Sequence, residues 1–266
     1  FKMKPTSNDI EKFYDKLLKV CKEKDFSVKT LGKVGKNYPL PIYFLDRDVR
    51  VGPKILVSSG FHGNEPAGPW GILSFLMKLD LKFISDVDIS FLPLVNPTGF
   101  VANVRDNEDG HDVNRGYMVP ENREDLLKPL TKEGKILKNH VDLLSGSAKD
   151  GLLCLHEAPI MGETFFVYGY EKSSKSGEFT KLFRDIELKY FKPFPDGLTR
   201  RGLVTKDGII LHNYDGGFQD WLFREGEIER AVVTETPSKE LPFTYRIQVN
   251  VKLIETFINY FKLRKE

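Results

Sequence analysis

Apolar residues first recur at helical spacing at Ile10, Phe13, Leu17 and Val20/Cys21. They follow Ser7 and Asp9, side chains that can cap a helix, and the pattern predicts a surface helix over residues 9–24. Strand-like runs at 26–34 and 40–46 are parted by the turn Gly35-Lys36-Asn37-Tyr38-Pro39. The run Lys54-Ile55-Leu56-Val57-Ser58-Ser59-Gly60 suits a buried strand, followed by a loop, an apolar helix near 67–79 and a strand over 88–95. Residues 96–120 are rich in Asn, Asp and Arg and have little period; irregular stretches of that length are usually functional or disordered. Beyond them the pattern predicts a helix at 123–145, strands at 151–155 and 164–169, and a helix at 176–190. A connection through Pro193, Pro195 and Gly197 leads to a helix at 216–225, a strand at 230–235 and a last helix at 243–263. That helix carries Ile247, Val251, Ile254, Ile258 and Phe261 on one stripe. Strands alternating with helices predict an α/β fold: a mixed, largely parallel central sheet flanked by helices, in a single domain over 1–266.

Composition narrows the function classes. Of 266 residues, 40% are hydrophobic and 29% charged, enough apolar material for one sizeable core. The 40 basic and 38 acidic residues are dispersed, so no basic block points to a nucleic-acid partner. No run approaches the roughly 18 apolar residues of a membrane span. The two cysteines, Cys21 and Cys154, lie far apart and are expected as reduced, buried thiols. A cytoplasmic location is therefore favoured, with export left open because Phe1 and Lys2 precede Met3. The oligomeric state is not legible.

Two segments carry chemistry. Gly60-Phe61-His62-Gly63-Asn64-Glu65 follows a buried strand, where open α/β sheets place their ligands. An imidazole and a carboxylate three residues apart can face one point if Gly63 lets the chain turn, and N plus O donors make a partial zinc shell. Alone, the pair reads equally well as a surface histidine and a capping glutamate. The second segment is Asn96-Pro97-Thr98-Gly99, then Arg105, then Asp112-Val113-Asn114-Arg115. Guanidinium forks on such a loop suit a carboxylate and a developing oxyanion. A solvated charged loop is the plainer reading.

The ordered set of motifs resembles the zinc carboxypeptidase family of carboxypeptidase A-like metallopeptidases. It is nearer to the compact bacterial members that trim murein peptides than to the digestive enzymes. The likeness continues through Leu153-Cys154-Leu155-His156, Gly216-Gly217-Phe218-Gln219-Asp220-Trp221 and Val232-Val233-Thr234-Glu235-Thr236-Pro237. It implies that His62, Glu65 and His156 bind Zn2+, with Asp112 orienting a ligand imidazole. It also implies that Arg105 stabilises the oxyanion, that Asn114 and Arg115 hold a substrate carboxylate, and that Glu235 is the general base.

The chain departs from the family at several points. Cys154 stands where many members have aspartate, and is expected to pack beneath the site. Glu157 replaces a small polar residue, and would touch substrate or be solvated. The family's mobile tyrosine falls at His212, with Tyr214 two residues on, and Gln219 occupies the position that sets specificity in digestive relatives. The expected activity is metal-dependent hydrolysis of an amide near the C-terminus of a short peptide with a free carboxylate, a cell-wall-derived peptide among the candidates. The alternative is an N-acyl-amino-acid deacylase like aspartoacylase and succinylglutamate desuccinylase. Those relatives carry a further β-rich domain, whereas the 31 residues after Glu235 read as one helix. A third reading, a non-catalytic peptide-binding module, would be expected to have lost a ligand or the base.

Overall fold

The structure is a computed structural model; it describes residues 8–47, 52–120, 127–158, 162–172, 177–198, 202–211, 213–239 and 241–263. Its centre is four parallel strands in the order β4 (Asp88–Leu92), β3 (Lys54–Ser59), β5 (Gly151–Ala158) and β11 (Arg230–Pro237). On one flank β2 (Leu40–Asp46) and β1 (Ser27–Val34) add antiparallel. On the other, β6 (Thr164–Glu171) runs antiparallel to β11, and the short strands β7 (Lys192–Pro193), β8 (Gly197–Leu198), β9 (Val204–Lys206) and β10 (Ile209–Leu211) complete the edge.

Successive residues of a strand point to opposite faces, so each central strand feeds two cores. Ile55, Val57, Leu153, Leu155 and Val232 face one core. It is covered by α1 (Ile10–Glu23), α2 (Ala67–Lys78), α6 (Glu178–Glu187) and α8 (Phe243–Lys262). Leu56, Leu152, Cys154, Ala231 and Val233 face the other core, covered by α4 (Lys132–Lys138), α5 (Val141–Ser147) and α7 (Phe218–Arg224). By the same alternation, His156 and Glu235 follow Cys154 and Val233 onto the α7 side, at the carboxyl end of the sheet.

The elements form for local reasons. Asp9 accepts from Lys12 N at 3.0 Å and caps α1, whose Ile10, Phe13, Leu17, Val20 and Cys21 are buried. The apolar α2 packs beside α8 on one face of the sheet, and a Cβ at Gly71 would come within 2.6 Å of Asn250 Cβ. Both cysteines are free and buried. No helix among the described residues is long and apolar enough to cross a membrane.

Three expectations are corrected. Of the helix expected at 123–145, residues 123–126 lie outside the described residues and the rest holds two short helices, α4 and α5. Thr131 caps the first by accepting from Gly134 N, and Asn139 and His140 separate them. Within the stretch expected to be irregular, Asn96 caps α3 (Pro97–Ala102), with proline at the first helical position. The connection after Pro193 contains β8, β9 and β10; at two or three residues each, they are too short to show a period.

Candidate active site

The loop after β3 closes because Gly60 adopts φ +67° and Gly63 packs backbone to backbone on α3. A Cβ at Gly63 would lie 1.9 Å from Gly99 C, which any other residue would violate. Asn96, fully buried, ties this loop to the next: its amide donates to Phe61 O and Arg105 O, both at 3.2 Å. Gly63 N also donates to Arg105 O at 3.3 Å. The first two sequence motifs are therefore one folded unit.

That unit and the end of β5 bring His62, Glu65 and His156 to one point, all buried, with their ligating atoms within 4.8 Å of one another. His62 Nδ1 is 2.7 Å from Glu65 Oε1, His156 Nδ1 is 3.0 Å from Glu65 Oε2, and the two Nδ1 atoms are 3.3 Å apart. On its far side His62 Nε2 meets Asp112 Oδ1 at 3.1 Å. Asp112 is an acceptor, so Nε2 carries a hydrogen, and Nδ1 faces the Glu65 carboxylate, which against the penalty of burial raises the His62 pKa and favours a proton between them. Acceptors aimed at one point in a buried site are held together by a cation between them, either a proton or a metal ion. An imidazole pair and a carboxylate suit a divalent metal, with donor separations of 2.7–3.3 Å, at or somewhat under the roughly 3.4 Å edge of a tetrahedron of about 2.1 Å bonds.

Asp112 is the hub of the second layer of contacts. Besides His62 it accepts from Asn114 N at 2.9 Å and from Arg105 Nε and Nη2 at 3.2 and 2.9 Å. Burial alone would raise its pKa, but the bond to His62 and the charges of His62, Arg105 and Arg115 hold the carboxyl well below its ordinary range. Glu65 behaves alike: against the penalty of burial, His62 and His156 keep it ionised. The Glu157 backbone N–H supports Glu65 Oε2 at 3.2 Å. Arg105, partly exposed, points its Nη1 to within 3.5 Å of Glu65 Oε1, at the mouth of the site.

Glu235 pairs in register with His156, one inter-strand spacing (about 4.8 Å) away. Loss of hydration, reinforced by Glu65, pushes its carboxyl up to about 8 against the pull of His156, Arg105 and Arg115. The pKa of a general base belongs in that region.

Several expected roles shift. Asn114 is buried with its amide committed: Oδ1 accepts from Phe218 N at 2.9 Å and Nδ2 donates to Gln219 Oε1 at 3.3 Å. It positions the start of α7. Gln219 has no exposed surface and donates to Asp215 Oδ1 at 3.1 Å and Tyr168 OH at 3.4 Å, so its amide ties α7 to β6. Tyr214 lies under the Arg224 guanidinium (5.2 Å) and beside the Tyr170 ring (5.6 Å), packed against the α7-side core. His212 lies outside the described residues. Cys154 packs in the core beneath His156, its Sγ 3.0 Å from Ser58 Oγ, and burial pushes the thiol up to about 12. Glu157 neither meets solvent nor points to the α7 side. Its carboxylate accepts from Ala67 N at 2.8 Å and from Arg246 Nη1 on α8, while burial raises it to about 7 in spite of Arg246.

Sequence reading missed Asp215, Tyr168 and the Glu157–Arg246 pair. Asp215, in an Asp-Gly-Gly stretch, reads as a turn; Tyr168 reads as an ordinary strand residue; Arg246 lies 89 positions from Glu157. Arg246→Ala is expected to destabilise the fold by about 3–5 kcal/mol by leaving a buried carboxylate unpaired. Chemical denaturation measures it, and an Arg246→Met/Glu157→Gln double variant should recover most of the loss.

A sequence model of the succinylglutamate desuccinylase/aspartoacylase catalytic domain matches residues 51–159. No curated protein sequence matches the chain. Among solved structures, a protein from Shewanella amazonensis named as a candidate metallopeptidase is 36% identical, with TM-score 0.85, over 96% of this chain and 94% of that one. One of the same description from Shewanella baltica is 35% identical, with TM-score 0.85, over 96% and 93%. A metallo-carboxypeptidase from Burkholderia cenocepacia shares the fold at 15% identity and TM-score 0.67, over 95% of this chain and 69% of that one. With a His-Glu-His cluster at the carboxyl end of this sheet, the chain belongs to the metallopeptidase family of the two Shewanella proteins, and it has the fold of the metallo-carboxypeptidases.

Proposed function

We propose that the chain is a zinc-dependent hydrolase of an amide bond near the carboxylate-bearing end of a short peptide, a cell-wall-derived peptide among the candidates. The observation that carries this reading is the convergence of His62 Nδ1, His156 Nδ1 and Glu65 on one point, with Arg105 at its mouth and Glu235 beside His156 in register. A zinc ion on His62, Glu65 and His156 would polarise the scissile carbonyl and acidify water. Glu235 takes the proton of the attacking water and returns it to the departing nitrogen. Arg105, fixed by two bonds to Asp112, donates to the oxygen that gains charge. Arg115 holds the substrate carboxylate.

A second reading, removal of an acyl group from an N-acyl amino acid, is favoured by the match of residues 51–159 to the desuccinylase/aspartoacylase domain. Both readings use the same residues, and substrates separate them. Hydrolysis of C-terminal peptides, cell-wall tripeptides and N-acyl amino acids should be followed by mass spectrometry, with and without chelator. Chelator-sensitive release of a C-terminal residue from a peptide is expected. Turnover of N-acyl amino acids alone would establish the second reading, and no chelator-sensitive turnover of any of them would end both.

A further inference from the structure

Glu157 joins the two chain segments that carry Glu65 and His156, and it does so twice. Its main-chain N–H donates to Glu65 Oε2 at 3.2 Å, the oxygen that also lies 3.0 Å from His156 Nδ1. Its carboxylate runs the other way: Oε2 accepts from Ala67 N at 2.8 Å, two residues past Glu65. Ala67 is the first residue of α2, and Pro66 before it makes no side-chain cap. From β5, Glu157 therefore provides the acceptor that an uncapped helix start needs.

The two segments also touch directly. A Cβ at Gly68 would come within 3.2 Å of Leu155 O, so the first turn of α2 lies on the end of β5. Successive strand residues point to opposite faces, so His156 reaches the ligand cluster while Glu157 reaches α2 and α8 on the other side. There Arg246 Nη1 holds Glu157 Oε1, which leaves Oε2 turned to Ala67. The guanidinium is itself seated over the Phe243 ring at 5.2 Å. The Arg246 side chain is 12% exposed and that of Glu157 not at all, so water competes little for the pair.

A buried ion pair adds little stability over a well-packed apolar pair, so its worth here is one of position. Glu65 has to meet both imidazoles at once, Oε1 towards His62 and Oε2 towards His156. Metal–donor distances tolerate changes of only about 0.2 Å. Any slip of the α2 start against the β5 end moves Glu65 relative to His156.

We infer that Glu157, held by Arg246 of α8, is a clamp that fixes Glu65 and His156 at the separation a divalent ion needs. Both residues act through the ligands rather than on the ion. The inference rests on the metal site of the proposed function, and not on which amide is cut.

Two double variants without the ion pair separate position from stability. Glu157→Gln/Arg246→Met keeps an oxygen for Ala67 N, whereas Glu157→Met/Arg246→Met keeps none. Zinc affinity of each metal-stripped protein is read by competition with a chromogenic chelator, alongside denaturation of the metal-free form. The glutamine variant should bind zinc about as tightly as wild type. The methionine variant should bind it about 10- to 100-fold more weakly at similar metal-free stability, with an altered visible spectrum when loaded with cobalt. Should the methionine pair not fold, Arg246→Lys is compared with Arg246→Met: lysine keeps a charge for Glu157 and should recover the affinity that methionine loses. Equal zinc affinity within the pair compared would overturn the clamp and leave the metal site standing. No zinc binding by the wild type would overturn both the clamp and the hydrolytic reading. The expected loss of affinity with no hydrolysis of any amide by the wild type would uphold the clamp and sink the hydrolytic reading alone.

Discussion

Glu235→Gln is expected to lower kcat/KM by about 10²- to 10⁴-fold while leaving the metal content of the purified protein unchanged. Glutamine keeps the size of the side chain on β11 but cannot accept a proton from water. Because Glu235 pairs in register with His156 and is not one of the three clustered ligands, the metal should stay. The pH profile supplies a second, independent reading. The base works only when ionised, so wild-type kcat/KM should fall as pH drops through the Glu235 pKa. Without a cation, burial puts that carboxyl at about 8. A divalent ion a few Å away favours the ionised form, so the acid limb should lie below that value. The residual activity of Glu235→Gln should lack this limb. An unchanged limb in the variant would assign the titration to another group and remove Glu235 from the base role.

Removing the metal is expected to abolish turnover and to loosen the fold at the same time. Without the metal, a proton that the ion would replace joins His62 Nδ1 and Glu65 at 2.7 Å, and the two Nδ1 atoms sit at 3.3 Å. An ion bound only by the folded chain stabilises it by about 4 kcal/mol at a free concentration a thousandfold above its Kd. For a chain of this size that corresponds to a rise in Tm of about 10 °C. Scanning calorimetry should show that shift on adding zinc to chelated wild-type protein. In His156→Ala the shift should largely vanish and activity should fall to background. In Asp112→Asn the ion should bind about 10- to 100-fold more weakly, because the His62 tautomer is then less firmly set. A full zinc-induced shift in His156→Ala would place the metal elsewhere.

The sheet and the ligand set could be read from the chain because their signals are local. Apolar runs at 54–60, 151–155 and 230–235 are long enough to show the strand pattern, and the short spacing of His62 and Glu65 makes a site from one turn. The order of the motifs along the chain then pointed to the family. Where local signals were weak, expectation and structure parted: a single helix at 123–145 proved to be two, and a stretch without period hid α3 behind a capping Asn96. Amino-acid order alone determined which residues carry donors and acids, and that His156 and Glu235 continue the faces of Cys154 and Val233, since alternation along a strand is a property of the backbone. Only tertiary structure decided what each polar group faces. Asp215 became the partner of Arg115, Gln219 was buried against Asp215, and Glu157 turned inward to Arg246. The physical reason is distance along the chain: these partners are up to about a hundred residues apart, and sheet register and helix packing bring them together.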